Sequence, residues 1–474
     1  MKTPEHIKLQ PLDIQHIEQC THHLATSTRK LVLEEYFKLY ASDRKAANLF
    51  LTRLDAKASR KQNFAKPSEK YAYECQEAIR IFGIEGGIRL FKNMGLSIPK
   101  GETKESTIAR MVDSEVWARK LKAKNYQSNE KSFIHAGHIC RGKQVYVSDW
   151  WVNRFIELQK DSAGFMKNSI AVSNEGDELS LAEIATSTVA NPVNRRHEMN
   201  TRMRGFEEFV KTLDAIKEGE AVAESAGFIC DFYTLTTPSK YHRKKRINAQ
   251  KVTDEMGKTH YEGGHFIDNP KYQPVLEIKN KDGLIERIPN TPKAAQNYLV
   301  KVFSRIRAKL KREGIETFGY RVVEPHHDGT PHWHLAFFMP EKDKARVRSI
   351  FRHYALQEDG DEQGALKHRF DAISHDPKKG SVTGYMTKYI SKNIAGFGIG
   401  EDFESGLDCD DAVLRILAWK SLWGIRQFAF YGSPSVSVWR ELRKLREPLS
   451  NPTIEKARLA ADAGHWGFIY NNHG

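Results

Sequence analysis

Residues 319–338 have the sequence Gly-Tyr-Arg-Val-Val-Glu-Pro-His-His-Asp-Gly-Thr-Pro-His-Trp-His-Leu-Ala-Phe-Phe, in which two arms flank a short turn. The arms, residues 320–324 and 332–338, are rich in aromatic and β-branched side chains, which favour strands. Asp328 and Gly329 between the arms are typical turn residues. This stretch therefore predicts a β-hairpin, and the rest of the chain is best understood in relation to it.

The predicted hairpin also carries candidate metal ligands. Because side chains alternate along a strand, His332 and His334 share one face while Trp333 points to the other. Glu324 ends the facing arm, where cross-strand neighbours lie about 5 Å apart. Two imidazoles and one carboxylate suit Mg²⁺ or Mn²⁺ acting as a Lewis acid, and also Zn²⁺. The alternative is a solvated hairpin with histidines placed by chance.

Composition limits the class of protein. The chain has 474 residues, 40% hydrophobic and 28% charged, which is typical of a folded protein of two or three domains and excludes a disordered one. The sequence has no run of 18 apolar residues, and its first residues lack the apolar core of a signal peptide. We expect the protein to stay in the cytoplasm of the cell that makes it.

Charge indicates the kind of partner. A net charge of +14 favours a polyanion, with nucleic acid the first candidate, although charge alone does not choose between DNA, RNA and an anionic membrane. The cysteines number five and are scattered, which argues against a disulfide framework. His135, His138 and Cys140 lie close in sequence, but their spacing does not match a zinc site.

The segments before the hairpin are predicted as follows. The N-terminal hundred residues are helical and contain no recognisable motif, and the next hundred are again mostly helical, with candidate N-caps at Ser106, Ser148 and Asn191. Residues 228–236 form a β-prone run that ends before a proline. Residues 239–290 are polar and turn-rich, which indicates a long loop or a small insertion.

A helix is predicted to begin at Thr291 and Pro292 and to stop at Gly314. One side of this helix is apolar, and another side carries a basic stripe made of Lys301, Arg305, Lys309 and Arg312. Such a stripe is either a solvated face or a surface that follows a phosphate backbone. The sequence leaves both interpretations open.

Residues 384–393 are predicted to form a second helix of interest. Tyr385 and Tyr389 share one side of it, with Lys388 and Lys392 beside them. Two tyrosines at this spacing are more often core packing. Next to a metal site, however, a tyrosine hydroxyl is a competent nucleophile toward a phosphodiester, because a cation polarises the phosphate.

Several motifs occur here in a fixed order: residues 233–236 on a strand, 332–334 on the hairpin and 385–389 on a helix. Longer matching stretches surround them, at residues 191–196, 236–242, 324–334 and 388–394. In these motifs the chain resembles the His-hydrophobe-His (HUH) endonuclease superfamily, and most closely the bacteriophage replication gene A endonucleases. The resemblance runs from about residue 110 to 470 and does not extend to the first hundred residues.

The resemblance implies an α+β fold. An HUH endonuclease domain, with a central antiparallel sheet of five strands flanked by helices, would follow a mainly helical N-terminal region. The implied division is residues 1–105 as a helical region of unknown role and 106–220 as a helical region leading into the catalytic domain. The endonuclease domain would occupy residues 221–447, and 448–474 would form a C-terminal tail.

The resemblance also implies an activity: site-specific nicking and joining of single-stranded or supercoiled DNA at a replication origin, which initiates rolling-circle replication of phage DNA. His332 and His334 would bind a divalent ion, Mg²⁺ or Mn²⁺, with Glu324 as third ligand, or else His326 or His327. A tyrosine would attack the DNA to give a 5′-phosphotyrosyl link and a free 3′-hydroxyl. The attacking group would be Tyr385 or Tyr389, aided by Lys388.

One departure from the family pattern concerns length. Members of the family usually continue well past the tyrosine helix, whereas this sequence ends at Gly474. That difference favours a truncated or partial copy and puts recruitment of a host helicase in doubt. Other functions compatible with the sequence are an HUH transposase or relaxase, a DNA-binding regulator that has lost catalysis, and a metal-dependent hydrolase of small substrates.

Overall fold

The structure is a computed structural model that describes most of the chain. The described residues are 9–22, 24, 26–55, 65–173, 176–186, 188, 191–219, 227–247, 250–253, 259–262, 264–279, 283–394, 401–402, 407–432 and 435–464. The chain divides into two compact units, Met1–Ser128 and Asn129–Gly474. The division into four segments made from the sequence stays a prediction.

The first unit is helical, as expected for the N-terminal region. Its helices are α1 (Pro11–Thr21), α2 (Thr26–Tyr40), α3 (Arg44–Asp55), α4 (Pro67–Phe82), α5 (Ile84–Asn93), α6 (Lys104–Met111) and the start of α7 (Ser114–His135). Tyr36 and Trp117 are fully buried in two neighbouring apolar clusters. The N-cap of α6 is Thr103, whose hydroxyl accepts from the Ser106 N–H, so the prediction of Ser106 as the cap was wrong.

The second unit begins with the rest of α7 and continues with helices and two short strands. These elements are α8 (Asp149–Asn168), β1 (Ile170–Val172), β2 (Glu178–Ser180), α9 (Leu181–Thr186) and α10 (Pro192–Gly219). Ser148 caps α8 by accepting from the Trp151 N–H, as predicted. The Asn191 side chain accepts from the Val193 N–H at the start of α10. None of the described helices is long and apolar enough to cross a membrane.

The remaining elements of the second unit contain most of its strands. In chain order they are β3 (Phe228–Leu235), β4 (Lys244–Arg246), β5 (Gln250–Thr253), β6 (Thr259–Glu262), β7 (Phe266–Asp268), β8 (Val275–Lys279), β9 (Ile285–Pro289), α11 (Pro292–Arg312), β10 (Phe318–Pro325), β11 (Pro331–Pro340), α12 (Lys344–Ala355), α13 (Ala365–His368), β12 (Phe370–Ser374), α14 (Val382–Ile394), β13 (Glu401–Asp402), β14 (Leu407–Asp408), α15 (Cys409–Trp423), β15 (Phe428–Tyr431), α16 (Val436–Leu442) and α17 (Pro452–Asp462).

A five-stranded antiparallel sheet lies at the centre of this unit, in the order β12-β3-β11-β10-β15. Strands β10 and β11 form the predicted hairpin, with Glu324 directly opposite His332 and Val322 opposite His334. The expectation of an α+β fold with an antiparallel sheet is confirmed. Two of the five strands, β12 and β15, come from segments for which the sequence predicted no strand.

The sheet has two faces, which we name by the residues at 332–334 of β11. The histidine face carries His332 and His334 and is covered by α10 and α14, whose Phe206 and Met386 are buried against it. The tryptophan face carries Trp333 and is covered by α11 and α12. Both faces are buried, which explains why β10 and β11 contain few exposed side chains.

Two predictions about neighbouring segments have different outcomes. Helix α11 is confirmed: Thr291 caps it by accepting from the Ala294 N–H, and Gly314 follows its end with a φ of 68°. Of the two alternatives for residues 239–290, the structure favours a small insertion over a long loop, because the described parts form three two-stranded ribbons, β4–β7, β5–β6 and β8–β9. Polar strands of three to five residues lack the apolar alternation by which strands are recognised.

Candidate metal centre

Glu324, His332 and His334 form a compact group on the histidine face. Each offers one ligand atom, and these atoms all lie within 4.8 Å of one another. Glu324 and His332 are almost completely covered, with 2% and 4% of their surfaces exposed. A buried carboxylate beside two imidazoles has the donor chemistry for a divalent cation, so the residues present fit the predicted ion. Within the described part of the chain, His135, His138 and Cys140 form no such group.

Four aromatic rings make successive contacts at this centre. His326 stacks on His332 with 4.0 Å between ring centroids, and His332 meets His334 edge to face at 4.7 Å. The ring of Tyr389 stacks on His334 at 4.2 Å. His326, an alternative third ligand in the sequence interpretation, thus borders the group of three through His332. Tyr389 borders it through His334.

Thr234 of β3 orients His334. Its hydroxyl lies 3.3 Å from Nδ1 of His334, directly across the pairing of β3 with β11. Nε2 of the same ring lies 3.5 Å from Oε2 of Glu324. A hydrogen bond at Nδ1 fixes the ring so that Nε2 faces the other two ligands. In the sequence, Thr234 belongs to the β-prone run and to the 233–236 motif, but neither pattern predicts a contact with His334.

The two tyrosines of α14 occupy different surroundings. Tyr389 lies against His334, whereas Tyr385 stacks on Phe232 of β3 at 3.9 Å. Their ring centroids are 6.1 Å apart. Burial, a hydrogen bond with Tyr385 and the negative charges of Tyr385 and Glu324 raise the pKa of Tyr389 above that of an ordinary phenol. Without a nearby cation, the Tyr389 hydroxyl therefore keeps its proton.

Helix α14 is anchored at its start, which fixes the height of the tyrosines over the sheet. Glu207 of α10 accepts hydrogen bonds from the backbone N–H and the hydroxyl of Thr383. Val382 and Met386 are buried against the histidine face. The side chains of Lys388 and Lys392, predicted to assist the tyrosines, lie outside the described residues.

The hairpin turn is held by a buried acid that the sequence marked only as a turn residue. Oδ1 of Asp328 accepts from the Thr330 N–H, and its Oδ2 lies 3.4 Å from Nδ1 of His242. Burial alone would raise the pKa of Asp328, but its attraction to His242, with smaller effects of His327 and His326, holds that pKa well below its usual range. The turn is therefore held by a buried carboxylate that binds the Thr330 backbone and faces the His242 ring.

A cleft of about 700 Å³ opens beside the metal centre. Thr234 and His326 line it on the side of the centre, and Thr236, His242, Lys367 and His368 line its other walls. Arg369 forms a nearly buried ion pair of 2.7 Å with Glu362 inside this cleft. Lys367 is exposed. The predicted basic stripe is elsewhere, because α11 packs on the tryptophan face.

The fold and the site define a protein whose antiparallel sheet carries a candidate metal centre next to a pair of tyrosines. Sequence comparison supplies the family. The sequence pattern of the bacteriophage replication gene A protein (GPA) family matches residues 38–397. The chain belongs to this family, and the match begins earlier than the resemblance seen by inspection.

Individual relatives agree with this assignment. The replication gene A protein of Escherichia phage 186 is 36% identical over 366 residues, which cover 76% of this chain and 46% of that protein. The probable replication protein P12 of Pseudoalteromonas phage PM2 is 36% identical over 377 residues, 77% of this chain and 51% of that protein. A protein named probable replication endonuclease from a prophage-like region of Salmonella paratyphi A is 30% identical over 375 residues, 76% of this chain and 41% of its own.

The chain thus spans about half the length of these relatives or less. No solved structure matches it.

Proposed function

We propose that this protein is a site-specific single-strand DNA endonuclease of the HUH type that also rejoins strands and initiates rolling-circle replication of phage DNA. The observation that carries the proposal is the position of Tyr389, whose ring lies 4.2 Å from His334 of the candidate metal centre. A candidate nucleophile thus lies beside a group of candidate metal ligands. The chain that carries them belongs to a family of phage replication proteins. The name of the Salmonella relative, a probable replication endonuclease, supports the same reaction class.

Glu324, His332 and His334 would hold Mg²⁺ or Mn²⁺. The ion would supply Lewis-acid polarisation of a non-bridging oxygen of the scissile phosphate. Thr234 holds His334 in the orientation that this requires. Because Glu324 and His332 are buried and Thr234 holds His334, the three side chains need little rearrangement to bind, which reduces the cost of assembling the centre.

Tyr389 would be the first nucleophile, since it lies nearer to the ligands than Tyr385. Its hydroxyl oxygen forms a bond to phosphorus while the bond from phosphorus to the 3′ oxygen breaks. The phenol loses its proton and the departing 3′ oxygen gains one, so no proton is gained or lost overall. One phosphodiester is exchanged for another, so the reaction is reversible and the same residues can rejoin a strand.

Tyr385 would provide the second cleavage, which releases the replicated strand as a circle after joining. Lys388 would stabilise charge at the phosphate. The DNA would be bound at a replication origin in single-stranded or supercoiled form. Recruitment of a host helicase stays a prediction from the family resemblance.

The test is covalent capture. The protein is incubated with single-stranded oligonucleotides that cover its own coding region and flanks, with Mn²⁺ or with a chelator. Adducts are detected on a denaturing gel, and mass spectrometry identifies the attached residue and nucleotide. We expect an adduct at Tyr389 that requires metal. A protein with both Tyr385→Phe and Tyr389→Phe serves as the control and should bind DNA without forming an adduct.

The outcomes separate the competing functions. Tight DNA binding without an adduct, on a pool whose integrity has been verified, would favour the non-catalytic regulator. Adducts formed equally well by the double variant would refute the assignment of the tyrosines. Cleavage at a site in a transposon end or a plasmid transfer origin, and not in phage DNA, would assign the chemistry to a transposase or relaxase.

A further inference from the structure

Arg321 of β10 is a buried cation on the tryptophan face of the central sheet. It pairs with Leu335 of β11 and Ala429 of β15, and 9% of its surface is exposed. The guanidinium lies 3.8 Å from the centroid of the Trp333 ring. The ring attracts the charge but offers no lone pair to an N–H group, so this stack satisfies no hydrogen bond of the guanidinium.

Within the described part of the chain, no acid compensates the charge of Arg321. Its side chain forms no ion pair or hydrogen bond with a described residue, and its Nη1 is shielded from solvent as well. Burial, and after it the positive charge of Arg426, lowers the pKa of Arg321 to about 10, and no described carboxylate opposes this shift. Buried charges are normally paired, because the lost hydration is otherwise uncompensated. A guanidinium in these surroundings is suited to an anion from outside the protein.

Arg426 places a second guanidinium near the first. Its neighbour Gln427 accepts from the Val323 N–H at 2.8 Å through its backbone oxygen, so Arg426 lies just before β15, the edge strand of the sheet. The Arg426 side chain is exposed, and its Nε donates to the backbone oxygen of Phe428 at 3.0 Å. Its charge acts on Arg321. A buried and an exposed guanidinium thus lie near each other, and the exposed one can be reached from solvent.

A third guanidinium lies on the other side of β15. Arg202 of α10 stacks on Phe430, with 3.6 Å between its Cζ and the ring centroid. Burial lowers the pKa of Arg202 to about 10, an effect that Glu198 opposes. The charges of Arg440 and Arg426 act in the same direction as burial. Because Glu198 itself accepts hydrogen bonds from Arg440 at 3.0 and 2.9 Å, its charge is largely offset, and the surroundings of β15 are positive on this side too.

We propose that Arg321 and Arg426 together bind a backbone phosphate of DNA at the edge of the sheet formed by β15. A phosphodiester presents charged oxygens to the planar, forked donor group of arginine, and a guanidinium is weakly enough hydrated to act from a largely buried position. The net charge of +14 favours a polyanion as the source of this phosphate. The proposal rests on the proposed function for the identity of the ligand, DNA, and adds a binding site to it.

This binding site is separate from the metal centre. Arg321 precedes Glu324 by three residues, which corresponds to about 10 Å along a strand. The two side chains also belong to different faces, because Arg321 pairs with Leu335 while Glu324 pairs with His332. DNA reaches the Arg321 site round the edge of the sheet, where Arg426 is exposed, so binding there can be measured without cleavage.

The first experiment measures DNA binding by the full chain in chelator, across a salt series. The ligand is the single-stranded oligonucleotide of the capture pool that binds most tightly, followed by fluorescence anisotropy. The variants are Arg321→Met and Arg426→Gln, with Arg458→Met as the matched control. Arg458 is as buried as Arg321, with 8% of its surface exposed, but it pairs with Glu455 at 2.7 Å and Asp462 at 2.9 Å.

We expect Arg321→Met and Arg426→Gln each to weaken binding about 10- to 100-fold, the range for a hydrogen bond to a charged group. Each should also reduce the log–log salt slope by about 0.7, the value for one phosphate contact on a single strand. Arg458→Met should change neither quantity. The proposal is wrong if either substitution leaves binding unchanged, or if Arg458→Met causes the same loss.

A second experiment tests direct contact with a phosphate. Neutral methylphosphonate groups replace single phosphates along the same oligonucleotide. At the position that contacts Arg321, the replacement should weaken binding to the wild type but have little further effect on Arg321→Met, because two changes to one contact are not additive. Additive losses at every position would refute the contact. A metal-dependent adduct in the wild type together with additive losses would refute this proposal and leave the proposed function standing.

Unfolding in urea without DNA tests whether Arg321 has a counter-ion inside the protein. Arg321→Met removes a charge that no described acid pairs with, whereas Arg369→Met takes from Glu362 the cation that lies 2.7 Å away. Arg321→Met should therefore lose clearly less stability than Arg369→Met. An equal or greater loss, including failure to fold, would show that the Arg321 charge is compensated within the protein and would overturn the proposal.

Discussion

The two faces of the central sheet have different surroundings, although the residues that point to them are neighbours in one strand. His332 and Trp333 are adjacent in β11, and both are nearly buried. On the histidine face, the imidazole joins a carboxylate and a second imidazole whose ligand atoms lie within 4.8 Å. On the tryptophan face, the indole packs into an apolar core. Because side chains alternate along a strand, two adjacent residues of β11 thus belong to the candidate metal centre and to the stabilising core.

The Trp333 side chain on the tryptophan face has its polar and aromatic partners within the protein. The indole N–H of Trp333 donates to Oε1 of Gln296 at 2.9 Å, and the guanidinium of Arg321 lies 3.8 Å from its ring centroid. Phe303 meets the same ring edge to face. The histidine face instead concentrates basic nitrogens around a buried carboxylate, an arrangement suited to a ligand more than to the fold alone.

The largest effect expected is on activity, from the histidine face. His332→Ala removes a proposed metal ligand, and the loss of several kcal/mol of transition-state stabilisation should lower the proposed cleavage about a thousandfold or more. Calorimetry with Mn²⁺ should show weakened metal binding as well. The free energy of unfolding in chelator should change far less than for a change at Trp333. Metal-dependent cleavage at the wild-type rate would remove His332 from the site.

The next largest effect is expected on stability, from the tryptophan face. Trp333→Ala should lower the free energy of unfolding by about 3–5 kcal/mol, because it leaves a cavity and strands the side chain of Gln296. Urea unfolding measures this change. Metal affinity per folded molecule should stay near that of the wild type. If His332→Ala destabilised the protein as much as Trp333→Ala, the assignment of metal binding to one face and of stability to the other would be wrong.

A smaller effect is expected from the residue that orients a ligand. Thr234→Val keeps the shape of the side chain but removes the hydrogen bond to Nδ1 of His334, which should weaken Mn²⁺ binding about 10- to 100-fold. Thr236→Val is the matched control, because that hydroxyl donates to a backbone oxygen away from the ligands. Equal metal affinities of the two variants would argue against the orienting role of Thr234.

The smallest effect on the candidate metal centre is expected from a buried carboxylate outside both faces. Burial raises the pKa of Glu130 to about 7, although the Ser148 hydroxyl and N–H donate to it and oppose the rise. Since this pKa exceeds the unfolded value of 4.5, the folded state binds the proton more tightly. The resulting stability is present below pH 4.5 and is lost as pH rises through 7.

Glu130→Gln should therefore flatten the dependence of stability on pH between about 5 and 8, by about 2–3 kcal/mol. Urea unfolding of wild type and variant at the two pH values measures the difference. Parallel curves would show that Glu130 does not titrate in this range. This measurement gives a reference pH dependence for a buried carboxylate outside the candidate metal centre.

The parts of the molecule that could be predicted from sequence depend on local patterns. The hairpin, the shared face of His332 and His334 and the position of Glu324 follow from alternation and a two-residue turn signal. Helix α11 follows from its cap at Thr291 and its apolar spacing. In each case the residues that determine the feature lie within about twenty positions of one another, so short-range rules suffice.

The remaining features depend on contacts between distant segments. Strands β12 and β15 are short, and they become strands because β3 and β10 offer free edges. The contrast between Tyr385 and Tyr389 arises from the way α14 crosses the sheet, which is set partly by Glu207 on α10. The pairing of Asp328 with His242 joins residues far apart in sequence. No local pattern contains this information.

Helix α14 carries both tyrosines on one rigid element, and their spacing has a kinematic consequence. Four residues of helix correspond to a rise of about 6 Å. In the proposed mechanism, if one hydroxyl reached a phosphate at the candidate metal centre, the other would fall short by roughly that distance, so the two would act in succession. Exchange between them requires the helix or the DNA to slide by about one turn, a displacement typical of microsecond to millisecond motions. The interval between first and second cleavage would then be timed by this movement.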